Sequence, residues 1–205
     1  ASVQEAEAVA RRLGLGHCVV KAQVHAGDRA ANGGIRFATS PAEAGRIASE
    51  LIGRSLVTAQ TGPAGQQVRW VYIEEAIEFA LSLYCAVTVD RKAGELLAIV
   101  SSREPRPGEG SGAEFCIHVE LLDDGVSGDF EKAGDAVGLE RQHSATLAKR
   151  ISQLAEAALA LDATLVEISP LVLARDGDFI ALDAKVIVDD NALFRHPDLA
   201  GLREV

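Results

Sequence analysis

Positive charge is in short supply. Twenty Lys and Arg stand against 30 Asp and Glu in 205 residues, a formal net charge of −10. A protein that grips a phosphate backbone needs a net basic face, so nucleic-acid binding is excluded as its main business; a local basic pocket for one nucleotide is not. Long apolar runs are missing too: none approaches the roughly 20 residues that cross a bilayer, and no secretory leader opens the sequence. A soluble, cytoplasmic chain with neither membrane nor nucleic-acid partners is the expectation. Cysteine is scarce. Cys18, Cys85 and Cys116 lie far apart, without the spacing of a zinc knuckle or redox motif, and are expected to be reduced core thiols. Methionine is absent, even from position 1, and Ser2 to Leu13 starts as though already inside a helix, so a trimmed piece of a longer chain is expected. There are no internal repeats and no low-complexity tract.

What remains is ordinary globular material, 48% apolar and 24% charged, long enough for one or two domains with a real core. Helical spacing of Val9, Ala10 and Leu13 predicts a helix over Ala6 to Leu13, ended by Gly14 and Gly16. Valine-rich alternation predicts a strand over His17 to Val24, then a glycine-bearing loop from His25 to Gly34 and a short strand over Ile35 to Ala38. Ser40 and Pro41 open a helix running to Ile52. Strands follow around Leu56 to Gln60 and Val68 to Ile73. After Glu74 the pattern changes to a long hairpin, Phe79 to Asp90 and Leu96 to Ser102, around the Arg91–Gly94 turn. Arg103 to Gly112, with two prolines and three glycines, reads as a loop. Leu139 to Leu161 is the most helical stretch, and Thr164 to Leu173 with Asp178 to Val188 forms a second hairpin. Two α+β lobes, 1–75 and 76–205, are the economical reading, with a cleft between lobes as the preferred place for a ligand.

Two constellations carry chemistry. In the first, a strand lysine, Lys21, precedes the glycine-punctuated stretch that ends at Gly34, an arrangement whose N–H groups and cation can cradle phosphates. No G-K-[ST] closes it, so it is not a Walker loop, and a flexible hairpin with a snorkelling lysine fits the same residues. In the second, Glu167 and Ser169 share one side of a strand and Asp183 lies on its neighbour, oxygen donors that suit magnesium or simply a solvated sheet face. His25, His118, His143 and His196 are scattered and unpaired, and receive no role.

Taken together and in order, these stretches resemble the ATP-grasp part of the succinyl-CoA synthetase β subunit and malate–CoA ligase β subunit family. The matching runs include Val20-Lys-Ala-Gln-Val-His-Ala-Gly27, Gln60-Thr-Gly-Pro63, Val71-Tyr-Ile-Glu74, Leu182-Asp-Ala-Lys185 and Asp189-Asp-Asn-Ala-Leu-Phe-Arg195. The resemblance implies an α+β ATP-grasp fold, two lobes clamping a nucleotide, in an ATP-dependent, ADP-forming acid–CoA ligase. It implies ATP or GTP with Mg2+ as cofactors, and as partner an α subunit whose histidine is phosphorylated. The acid and CoA would bind elsewhere. Carried over by position, Lys21, Gly27, Asp28, Arg29, Ala30, Glu74, Ile77 and Ser82 would form the nucleotide site. Asp183 and Ser169 would hold magnesium, and Glu167 would act catalytically by placing the phosphohistidine.

Departures fall on that site. Gly27-Asp28-Arg29-Ala30-Ala31 stands where the family has a Gly-Gly-Arg-Gly-Lys type loop. At roughly 5 Å and an effective dielectric of about 20, Asp28 would repel each phosphate charge by about 3 kcal/mol before screening. Ala30 is expected to remove a φ > 0 conformation. Ser82 replaces a glutamate, Ser169 replaces an asparagine ligand, a Gly-Gly-x-x-Ile-Glu segment is not recognisable around Arg103 to Glu114, and the family's C-terminal domain is not found before Val205. The same resemblance therefore admits a non-catalytic paralogue acting as an interaction or regulatory subunit, or an ATP-grasp ligase on a different acid.

Overall fold

The computed structural model describes residues 2–14, 16–102 and 114–202. The loop expected over Arg103 to Gly112 lies outside the described residues. Helix α1 (Val3–Arg12) starts at Ser2, whose hydroxyl accepts from Glu5 N–H while the Glu5 carboxylate accepts from Ser2 N–H. This reciprocal cap satisfies two otherwise orphaned donors. The chain then runs through β1 (Cys18–Gln23), β2 (Ile35–Ala38), α2 (Pro41–Leu51), β3 (Ser55–Leu56), β4 (Gln66–Gln67) and β5 (Trp70–Glu75). It divides between Ile77 and Glu78 into two compact units.

The first unit is a three-stranded antiparallel sheet, ordered β2-β1-β5, with α1 and α2 on one face. Period-2 alternation sends Cys18, Val20 and Ala22 of β1, with Val71 and Ile73 of β5, toward the helices, where they pack with Ala6, Ala10, Ile47, Ala48 and Leu51. Val19 and Lys21, on the opposite face, are buried as well. The strand expected over Leu56 to Gln60 stops at Leu56. Thr58 and Thr61 end it: the Thr61 hydroxyl accepts from Thr58 N–H at 2.8 Å, and Thr58 Oγ1 accepts from Gln60 and Thr61 N–H. Side chains thus replace the partner a further strand residue would need.

On the exposed side of α2, Glu50 accepts from Arg36 and, at 2.6 Å, from Arg46, which holds its carboxyl below the ordinary value of 4.5. A lowered folded-state pKa contributes stability above the unfolded value and loses it as pH falls through the folded one. Acid unfolding of wild type should therefore begin below about pH 4.5 with a contribution from this group, and Glu50→Gln should flatten that limb; Tm against pH for the two proteins checks it.

The second unit opens with β6 (Phe79–Asp90) and β7 (Glu95–Ser101), followed by β8 (Glu114–Leu122), β9 (Gly125–Ser127), α3 (Glu131–Ala136) and α4 (Arg141–Ala160). Next come β10 (Ala163–Ala174), β11 (Phe179–Ala181), β12 (Ala184–Val188), a 3-10 turn (Asp190–Arg195) and the short α5 (Pro197–Ala200). Its antiparallel sheet is ordered β11-β10-β6-β7-β8-β9, and β12 also pairs with β10. The single return strand expected over Asp178 to Val188 is two strands, because pairing lapses at Leu182–Asp183 opposite the cis Ser169–Pro170 bond. Leu147, Ile151, Leu154, Ala155 and Ala158 form one stripe of α4 and pack with Leu83, Val87, Val100, Val166 and Leu171 of the sheet. Elements β8, β9 and α3 were not anticipated.

Two further expectations are corrected here. Cys18 and Cys85 are buried, with burial pushing the Cys85 thiol up to about 12, but Cys116 is exposed, because alternation along β8 turns Phe115, Ile117 and Val119 toward the core instead. The histidines are not all unpaired: His118 Nε2 lies 3.2 Å from Asp90, and His196 Nε2 lies 2.7 Å from Asp162. Asp162, at φ 49°, also accepts from Arg195 at 2.6 Å, and its carbonyl accepts from Asp189 N–H. No helix among the described residues is long and apolar enough to cross a membrane.

Candidate functional site

In the first unit Lys21 stands at the centre of the sheet face turned away from the helices. It lies directly across from Tyr72 of β5, with Glu74 diagonal to it on the same side. The residue is 5% exposed and its ammonium pairs with the Glu74 carboxylate. Desolvating a lysine to this degree is costly unless an anion compensates, and Glu74 is that anion.

The loop after β1 is built from polar contacts rather than apolar packing. Ala22 N–H donates to Gly34 carbonyl and Gly34 N–H to Arg29 carbonyl, each at 2.7 Å. Gly34 is required there, since a Cβ would come within 2.8 Å of Leu56 Cδ2 and 3.1 Å of the Arg29 carbonyl. Arg29 is buried and donates from Nη1 to Ala22 carbonyl at 2.7 Å, so its guanidinium helps hold the loop against β1. Gly27 N–H donates to Gln60 Oε1 at 2.9 Å, and His25 N–H to Gln66 Oε1 at 3.0 Å. The left-handed positions of the loop are Asp28, at φ 57°, and Gly33. Ala30 is not among them, so the conformation expected to be lost at Ala30 is not required there. Asp28 instead carries the strained backbone, a role Asp and Asn fill more readily than other side-chain-bearing residues. Ile77 is half-buried and ends the unit, one residue after Ala76, whose N–H donates to His17 carbonyl.

In the second unit the face of the sheet away from α3 and α4 carries the remaining candidates. Ser82 and Tyr84 alternate along β6, and the register pairs Ser82 with Val172, Tyr84 with Ser101, and Glu167 with Ala86. The Tyr84 hydroxyl donates to Glu167 Oε2 at 3.0 Å. Ser169 N–H donates to Asp183 carbonyl at 3.2 Å, and Leu182 N–H to Pro170 carbonyl at 3.1 Å, so the lapse in pairing sets Ser169 and Asp183 side by side. One carboxylate and one hydroxyl fit magnesium, which takes one or two protein carboxylates and completes its octahedron with phosphate and water. Among the described residues no group of three His, Cys, Asp or Glu side chains forms a complete metal cage.

Three residues that contact or face these candidates went unassigned in the sequence. Tyr84 has a sequence signal in hindsight, since it follows Ser82 by two and so shares its side of the strand. Gln60 reaches Gly27 from 33 residues away, which no local pattern marks. Lys185, opposite Glu167, was visible only as part of a motif.

Residues 1–106 match the ATP-grasp domain family. The β subunit of ADP-forming succinate–CoA ligase from Myxococcus xanthus (strain DK1622) is 42% identical over 210 residues, covering 100% of this chain and 54% of the relative. That from Anaeromyxobacter dehalogenans (strain 2CP-C) is 40% identical over 207 residues, covering 98% and 53%. The chain thus spans about half the length of the curated relatives it matches. Among solved structures, ATP citrate lyase from Methanothrix soehngenii superposes with a TM-score of 0.68 at 18% identity, covering 97% of this chain and 45% of that one. The dinucleotide-forming acetyl-coenzyme A synthetase 1 of Ca. Korarchaeum cryptofilum gives 0.61 at 16%, covering 92% and 82%. At such identities the likeness is one of fold, and it is an α+β ATP-grasp fold.

Proposed function

The chain belongs to the ATP-grasp family, and on that premise we propose that it is the nucleotide-binding module of an acid–CoA ligase of the succinate or malate type. The observation that carries this reading is the buried Lys21–Glu74 pair on the helix-free face of the first unit. An ammonium held on the sheet by a carboxylate of the neighbouring strand would be positioned to meet a phosphate oxygen. Residues 1–75 and 76–205 would serve as the small and large lobes. Lys21 would meet the nucleotide phosphates, with Gly27, Asp28, Arg29 and Ala30 lining them and Glu74, Ile77 and Ser82 completing the nucleotide site. Asp183 and Ser169 would hold Mg2+, which supplies charge neutralisation of the phosphates when bound. Glu167, oriented by the Tyr84 hydroxyl, would place the imidazole of a partner α subunit that accepts the phosphoryl group. The protein's part is then positioning and electrostatics, as phosphoryl transfer demands. A cytoplasmic setting belongs to the same proposal and agrees with three free thiols.

A second reading, a non-catalytic paralogue acting as an interaction or regulatory subunit, draws on the loop. Gly27 N–H is already satisfied by Gln60, and Asp28 adds a negative charge where phosphates would lie. Thermal unfolding with ATP or GTP, each with magnesium or with EDTA, decides between them. Nucleotide at 100 times its Kd stabilises by about 2.7 kcal/mol, so a magnesium-dependent rise in Tm supports the module, and a flat response at millimolar nucleotide supports the paralogue.

Asp28 has its own test. Asp28→Asn removes the charge yet keeps a side chain that tolerates φ 57°. After screening, about 1 kcal/mol of the repulsion should survive, so Mg–ATP affinity should rise about fivefold. Asp28→Gly should do the same, and calorimetric titration of both variants reads the change.

A further inference from the structure

Strand β12 brings one more charged group to the second unit's half-site. The register sets Lys185 directly opposite Glu167, and it follows Asp183 by two residues. Lys185 is half-buried, whereas its neighbours Ala184 and Val186 are exposed. Glutamate and lysine facing each other across an antiparallel pair are well placed to form an ion pair. They do not form one here: Glu167 Oε2 takes the Tyr84 hydroxyl, and among the described residues the Lys185 ammonium has neither an ion pair nor a hydrogen bond. An ammonium that takes no partner from the described residues is available to an anionic ligand. Around it stand Glu167, Asp183 and Ser169, two carboxylates and a hydroxyl, a setting that repels a phosphoryl group unless a cation stands among them.

We propose that Lys185 is a specificity-determining residue whose ammonium binds the terminal phosphoryl group of a nucleoside triphosphate, so that the chain distinguishes Mg–ATP from Mg–ADP. The inference rests on the nucleotide-site reading above. It follows from charge: the triphosphate presents one more anionic group than the diphosphate, and a compact ammonium is a good point-charge ligand for it. Lys185 sits between the residue proposed to hold the metal and the residue proposed to place the phosphoryl acceptor, which is where the transferable group must be.

Calorimetric titration of the 205-residue chain with Mg–ATP and with Mg–ADP, for wild type, Lys185→Met and Lys185→Arg, tests it, with Tm in the absence of nucleotide reporting folding. The expected result is that Lys185→Met weakens Mg–ATP by about 10- to 100-fold, the range of one charged hydrogen bond, and leaves Mg–ADP within about twofold. Lys185→Arg should keep most of the preference for the triphosphate. An unchanged Mg–ATP affinity in Lys185→Met overturns the inference, as does equal weakening of both nucleotides, which would place the lysine on the diphosphate or in the fold. If wild type binds neither nucleotide, the nucleotide-site reading itself fails and this inference falls with it; wild-type binding beside an indifferent Met variant overturns this inference alone.

Discussion

Lys21→Met is expected to abolish the magnesium-dependent rise in Tm at nucleotide concentrations that saturate the wild-type protein. Two effects combine in that variant and can be separated. The first is loss of a charged contact to phosphate, about 1.5–3 kcal/mol and hence about 10- to 100-fold in affinity. The second is an uncompensated carboxylate: Glu74, with 22% of its side chain exposed, loses Lys21, its one ion-pair partner among the described residues. Breaking a fully buried pair costs about 3–5 kcal/mol; Glu74 keeps contact with water, so about 1–2 kcal/mol of folding stability should be lost. The double variant Lys21→Met/Glu74→Gln removes the stranded charge and should regain most of the ligand-free Tm. It should not regain the response to Mg–ATP. A double variant that recovered both would show that the pair serves the fold alone.

Leu147→Ala should lower the stability of the second unit by about 2–5 kcal/mol, the range for truncating a fully buried leucine. Leu147 is 0% exposed and opens the apolar α4 stripe, in one cluster with Ile151, Val87 and Val100. Neighbours drawn from both a helix and a sheet cannot collapse together into the space left behind, which places the cost toward the upper part of the range. Leu159→Ala is the control on the same helix. Leu159 is 40% exposed, and its truncation should change stability by less than about 1 kcal/mol. Urea unfolding followed by circular dichroism reads both, and equal effects would deny that α4 is seated by its Leu147 face.

Where local chemistry decides structure, the sequence was readable. The valine alternation of β1, the Ser40–Pro41 start of α2, and the leucine and isoleucine spacing of α4 each follow from side-chain periodicity or capping over a few residues. What escaped depends on partners far along the chain. β8 reads poorly because Glu114, Cys116, His118 and Glu120 interleave its apolar positions, and its pairing with β7 supplies the order. The split between β11 and β12 follows from where their pairing with β10 lapses, on the other side of the ladder. At the site, Lys21 stood out as a lysine within a strand pattern, whereas Glu74 entered only through the family resemblance. The Tyr84–Glu167 hydrogen bond spans 83 residues of sequence and is set by β6–β10 register, which no single segment encodes. The committed guanidinium of Arg29 was equally hidden, because the acceptor is a main-chain carbonyl and carries no residue identity.

Asp162 has a consequence for the end of the described chain. Its carboxylate and carbonyl together tie Arg195, His196 and Asp189 to the corner between α4 and β10, while only Ala192 of the intervening 3-10 turn is buried. The turn therefore borrows its order from one anchor instead of generating it from a core of its own. Proton exchange between its amides and solvent can proceed by release of that anchor, with a free energy set by the contacts of Asp162 and not by the unfolding of the sheet. A sequence run as specific as Asp189 to Arg195 is, in this sense, a tether: much of what it encodes is where it is moored, and Phe194, 82% exposed, is left at its outer edge.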